Sequence, residues 1–173
     1  MGLQHFSCIR RLALDLKEIF RSYKRSEKLF FNILPRSIAE RLKKYSSTIT
    51  DDIEDESVLF CDLVGFTTIS SRQTGHQTVN MLNGPFTPFD KAIKARGLEK
   101  IKTIGDAYMV ACGVPNSRSD HAKQLILLAR DLFEILAEYN RNKDYELSLR
   151  IVINSGPVTT GVIGTRKFSY DLW

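Results

Sequence analysis

Leu98-Glu99-Lys100-Ile101-Lys102-Thr103-Ile104-Gly105-Asp106-Ala107-Tyr108-Met109-Val110-Ala111-Cys112 decides the fold of this 173-residue chain. Two strand-like runs, 98–103 and 107–112, flank the segment Ile104-Gly105-Asp106. Gly beside Asp between two such runs predicts a tight hairpin turn. Outward from it, Thr74–Arg96 is mostly helical in pattern and stops at Gly97. Ser57–Leu63 is an apolar strand, and Ser119–Asn140 is an amphipathic helix with Ser119 placed to cap it. Leu147–Asn154 and Val158–Ile163 read as strands on either side of Ser155-Gly156-Pro157. The order β-α-β-β-α-β predicts an α+β, ferredoxin-like domain. One stretch disobeys its pattern: Gly84, Pro85 and Pro88 interrupt a helical segment. Proline in a helix interior costs about 3 kcal/mol and glycine about 1. Either the helix divides there or the fold tolerates the damage.

Residues 1–45 form a helical segment, 46–56 a polar linker and 57–173 the globular domain. From Ile9 the apolar residues step by three and four through Leu12, Leu16, Ile19 and Tyr23, lapse at Ser26, and resume at Phe30 and Ile33. That spacing suits a coiled-coil seam between two copies, or an amphipathic helix lying on its own domain. Pro35 ends or kinks the helix, and Ser37–Tyr45 continues as a second. Residues 1–45 carry eleven Lys or Arg against four acids, a balance of +7 within a net charge of +5. Such a basic segment has chemistry for anionic lipid or nucleic acid, but a solvated helix face is the favoured account of it. No nucleic-acid reader motif accompanies it, so no nucleic-acid partner is expected.

The composition, 43% hydrophobic and 26% charged, is that of a globular domain. Cys8, Cys61 and Cys112 are scattered without metal-finger spacing, which fits a reducing, cytoplasmic setting. No apolar run reaches the roughly 18 residues of a transmembrane segment. Membrane association, on this reading, is through the basic N-terminal helix alone.

Asp62 closes an apolar strand and is followed by Leu63-Val64-Gly65-Phe66-Thr67. A carboxylate at a strand end suits a hard divalent cation, and the amides of a Gly-containing turn suit a triphosphate. Asp106, in the hairpin turn, belongs to a strand that a ferredoxin-like sheet sets beside the first. Singly, each Asp reads as an ordinary turn residue. Together they suit two-metal displacement at phosphorus. Lys102 shares strand parity with Lys100 if the strand is regular. An ammonium and a carboxylate, Lys102 and Asp171, match the ring acceptor and amino donor of adenine and mismatch guanine.

With these residues in view, Ser57–Trp173 resembles the catalytic domain of the class III nucleotidyl cyclases, the adenylate and guanylate cyclase family. Asn32-Ile33-Leu34-Pro35 and Ile38-Ala39-Glu40-Arg41-Leu42 resemble the signalling helix that precedes such domains. The resemblance implies a palm-like fold and two Mg²⁺ or Mn²⁺ ions held by Asp62, Asp106 and the backbone carbonyl of Leu63. It implies a triphosphate loop over Val64, Gly65, Phe66 and Thr67, and adenine selection by Lys102 and Asp171. The implied reaction converts ATP to cyclic AMP and pyrophosphate in cyclic-nucleotide signalling, in sites shared across a homodimer or a heterodimer with another cyclase chain.

The resemblance also implies an Asn/Arg pair that stabilises the transition state, expected just beyond Trp173. On that expectation the chain is a C-terminally truncated cyclase, inactive as an isolated homodimer. The alternative is a non-catalytic or complementing partner of a full-length cyclase. Asn154, Pro85 and Pro88 depart from the family pattern. A diguanylate-cyclase relative is excluded by the missing Gly-Gly-Asp/Glu-Glu-Phe signature.

Overall fold

The computed structural model describes residues 2–45, 48–143, 146–164 and 167–173, the side chains of 2–10, 12 and 13 excepted. Two compact units divide between Ser47 and Thr48. The first holds α1 (Gly2–Phe31) and α2 (Arg36–Lys44). Pro35 immediately precedes α2, where its missing N–H leaves no helical hydrogen bond unmade. Lys43 reaches back to Glu27 at 3.2 Å and lies 4.9 Å over the Phe31 ring, pinning α2 to the end of α1. Along the heptad positions, Leu16, Ile19 and Tyr23 are exposed. Ile9 and Leu12 lie outside the described side chains.

The second unit runs β1 (Thr50–Val64), α3 (Phe66–Ser70), α4 (Gly75–Ala95), β2 (Glu99–Ile104), β3 (Ala107–Cys112), α5 (His121–Lys143), β4 (Ser148–Ile163) and β5 (Ser169–Leu172). The antiparallel sheet has the order β2-β3-β1-β4-β5. Its first four strands follow the ferredoxin-like order, and β5 adds an edge. Leu59, Cys61 and Leu63 of β1 join Tyr108 and Val110 of β3 in the main core. Leu125, Leu128, Leu132 and Leu136 cover that face from α5, and Met81, Phe86, Phe89 and Ile93 from α4. The spacing of three and four on α5 is that of one buried helical stripe. Among the described residues, no helix is long and apolar enough to cross a membrane.

Three expectations change, and one open alternative closes. Residues 50–56, read as linker, are the first half of β1; Ser46 and Ser47 lie outside the described residues. This stretch stays polar and largely exposed because Thr50–Ile53 pairs with β4 but not with β3. The two expected strands around Pro157 are one strand, β4. A bulge makes this possible: Ile53 pairs with Val158 and Glu56 with Gly156, so Glu54 and Asp55 oppose Pro157, which has no N–H to give a ladder. Helix α5 begins at His121, and the Asp120 carbonyl accepts from the Gln124 N–H at 3.0 Å, so Ser119 is not the cap. Helix α4 runs unbroken through Pro85 and Pro88, its start closed by a capping box between Thr74 and Gln77.

Candidate functional site

Strand alternation places Leu59, Cys61 and Leu63 toward α4 and α5, and Phe60, Asp62 and Val64 on the opposite face, where Phe60 and Val64 are exposed. Asp62 pairs with Ala107, and Asp106 is the next residue back along the chain, in the turn at the same end of the sheet. Asp106 sits in a two-residue loop closed by the Ile104–Ala107 pair, with Gly105 at φ +64°. Both carboxylates are half-buried. An all-oxygen donor set of two carboxylates, with the Leu63 carbonyl on the same strand end, fits a hard divalent cation. Among the described residues, no cluster of three or more His, Cys, Asp or Glu could hold a metal. Any bound cation would therefore need its remaining ligands from backbone, water or nucleotide phosphate.

Just past Val64 the chain turns at Gly65, φ +89°, into the short helix α3. That φ favours glycine whatever the space, and the Gly65 carbonyl accepts from the Ile69 N–H at 3.1 Å. No side chain caps α3, and Phe66 packs against the core. Val64, Gly65 and Thr67 are exposed. The turn thus leaves the strand end that carries Asp62.

Lys102 and Asp171 are joined. The Lys102 ammonium donates to the Asp171 carboxylate, although β2 and β5 stand at opposite ends of the sheet order. The sheet curls until these edge strands contact each other. The assumed common parity of Lys100 and Lys102 does not hold. Lys100 pairs with Val110 and Lys102 with Met109, two residues against one, so Ile101 is the extra residue of a bulge. Lys100 therefore faces the helices, 2.8 Å from Asp90 on α4 and 4.5 Å over the Tyr108 ring. Lys102 faces the open side.

Several groups were not anticipated from the sequence. Arg150 stands directly opposite Asp62 on β4 and is exposed, a positive charge beside the two carboxylates. Strand parity on 147–154 would have found it had the register been known. Glu56, 1% exposed, lies at the β1 bulge, and burial pushes its carboxyl up to about 7. Burial does the same to Glu99 on β2, also to about 7. Ser57 shares hydrogen bonds with His121 Nδ1 at 2.7 Å and Ser155 Oγ at 2.6 Å, tying the bulge to α5 and β4. A polar residue opening an apolar strand was the only signal for Ser57, and Glu56, at the end of a polar run, gave none.

Residues 49–173 match the family described as the adenylate and guanylate cyclase catalytic domain. An adenylate cyclase of Mycobacterium tuberculosis is 44% identical over 150 residues, covering 86% of this chain and 34% of that protein. The chain thus spans about a third of that curated relative. The guanylate cyclase domain of RhGC from Catenaria anguillulae, solved in complex with GTP, aligns with TM-score 0.67 and 34% identity over 71% of this chain and 68% of that one. The dimeric guanylyl cyclase domain of the RhoGC fusion protein from Blastocladiella emersonii aligns with TM-score 0.66 and 33% identity, over 71% and 68%. Both nucleotide classes thus occur among the relatives, and with its sheet order and paired strand-end carboxylates the chain belongs to the adenylate and guanylate cyclase catalytic-domain family.

Proposed function

We propose that this domain works as a cytoplasmic cyclase of the adenylate type, closing ATP to cyclic AMP with release of pyrophosphate. The observation that carries the choice of base is the Lys102–Asp171 pair. It offers one donor and one acceptor side by side, complementary to adenine's ring nitrogen and amino group, whereas guanine presents the reverse order. In the reaction the ribose 3′-hydroxyl loses its proton and bonds to the α-phosphorus, and the bond to the bridging oxygen of pyrophosphate breaks. Bound Mg²⁺ or Mn²⁺ would neutralise phosphate charge and ease deprotonation of that hydroxyl. Asp62 and Asp106 hold the cations, with the Leu63 carbonyl assisting. The Val64–Thr67 turn and Arg150 take the triphosphate, and Lys102 with Asp171 orients the base.

The resemblance to the family implies a site shared across two chains, the second supplying an Asn/Arg pair opposite the metal carboxylates, so a second cyclase chain is the expected partner. The test mixes this polypeptide with a complete cyclase whose own metal carboxylates are replaced by Ala, supplying Mn²⁺ and ATP. We expect cyclic AMP from the mixture and none from either chain alone. Asp62→Ala or Asp106→Ala in this chain should abolish it, a loss of 100-fold or more being usual for groups of this kind, roughly 3 kcal/mol. Cyclic AMP that survives both substitutions would overturn the assignment of the carboxylates. A mixture without product would instead favour a non-catalytic partner.

A further inference from the structure

The bulge in β2 separates two lysines that a regular strand would keep on one face. We propose that Lys100 is a positioning residue for nucleotide recognition: anchored on Asp90 and Tyr108, it locks the bulge that turns Lys102 toward Asp171. The proposal rests on the base-recognition reading of Lys102 and adds a residue that touches no nucleotide.

Four observations carry it. The register places Lys100 against Val110 and Lys102 against Met109, with Ile101 inserted between. The Lys100 ammonium lies 2.8 Å from Asp90 Oδ1 and 4.5 Å over the Tyr108 ring. Tyr108, fully buried, donates its hydroxyl to the same Asp90 oxygen. Its ring is itself held edge-on by Phe86 at 5.0 Å and Phe89 at 5.9 Å, so the anchor sits on the main core. One alternative arrangement competes. Regular pairing from Lys100 onward would set Ile101 against Met109 and Lys102 against Tyr108. Lys102 would then point to the helix side, toward Asp90, and away from Asp171. Asp90 can hold one lysine in this geometry, and Lys100 occupying it excludes Lys102. The salt bridge is half-exposed, so its worth lies in selecting between two registers rather than in bulk stability.

The test uses the 173-residue chain with Lys100→Met, which keeps the aliphatic stem and removes the charge, and Lys100→Arg, which can still pair with Asp90 and stack on Tyr108. Binding of ATP, GTP and inorganic tripolyphosphate is measured by competition against a fluorescent ATP analogue. Wild type should prefer ATP. Lys100→Met should lose about tenfold of that preference, the size of one hydrogen-bonded contact, with tripolyphosphate affinity unchanged, and Lys100→Arg should restore it. The second readout needs no nucleotide. The Leu172 N–H donates to Asp171 Oδ1 at 2.9 Å, so its amide resonance reports on the ion pair. In Lys100→Met that resonance should move as it does in Lys102→Met. A Leu172 resonance left at its wild-type position in folded Lys100→Met overturns the proposal, as does an undiminished ATP preference. If wild type binds ATP and GTP alike, the adenine reading fails, and the amide comparison decides the positioning role by itself.

Discussion

Glu56 is sealed in the interior with neither carboxyl oxygen hydrogen-bonded among the described residues. Gly113 approaches so closely that a Cβ there would lie 2.9 Å from Glu56 Cβ. Burial raises this carboxyl from 4.5 to about 7. Between those values the folded chain keeps a proton that the unfolded chain releases, so the contribution is fully favourable below about pH 4.5 and is lost as pH rises through about 7. The loss is on the order of 3 kcal/mol, and Glu99 adds a loss of the same sign. Urea midpoints measured from pH 5 to pH 8.5 should therefore fall. Glu56→Met should flatten roughly half of that slope and raise the midpoint at the alkaline end, because an apolar side chain needs no partner there. An unchanged slope would assign the pH dependence elsewhere. At this scale the positions of Asp62 at a strand end and Asp106 in a glycine turn were legible in the sequence, because both are local signals. Glu56 was not, since a glutamate at the end of the polar run Glu54-Asp55-Glu56 looks solvated until the bulge folds it inward.

Helix α4 accommodates Pro85 through one side chain from α5. Pro85 has no N–H for the Met81 carbonyl, and that buried carbonyl accepts from the Tyr139 hydroxyl at 3.3 Å instead. The Tyr139 ring occupies the space of a residue-84 side chain: a Cβ on Gly84 would fall 2.2 Å from Tyr139 Cε2. Glycine to alanine inside a helix ordinarily gains up to about 1 kcal/mol; here Gly84→Ala should cost about 1–3 kcal/mol by overpacking. Tyr139→Phe should cost about 1 kcal/mol or more. The cost should shrink in a Pro85→Ala background, where a new N–H reaches the Met81 carbonyl. A double-mutant cycle in urea measures the coupling, and additive costs would refute the account. The helix was legible from its period, but its continuity was not. A proline's missing N–H counts against a helix locally, and only a tyrosine more than fifty residues away supplies the replacement donor.

On the sheet face opposite α4 and α5, Phe60, Ile104 and Val152 are exposed beside the candidate site. Contiguous exposed apolar residues mark an association surface, and the similar RhoGC domain from Blastocladiella emersonii is solved both as a non-canonical dimer and as a monomer. The expected dimer uses this face. Val152→Lys should weaken self-association at least tenfold, about 1.4 kcal/mol, in sedimentation equilibrium, with unchanged circular dichroism. Association unaffected by the substitution would move the interface elsewhere.

By itself the sequence determined the order of elements, the strand-end carboxylates and the lysine–aspartate pair of candidate base contacts. These follow from residue type and short-range period, which act within a few residues. The tertiary structure alone decided the register that sets Asp62 beside Asp106, the bulge that parts Lys100 from Lys102, and the curl that brings β5 to β2. Those depend on backbone hydrogen bonds between residues far apart in the chain, where one inserted residue reverses every side chain beyond it.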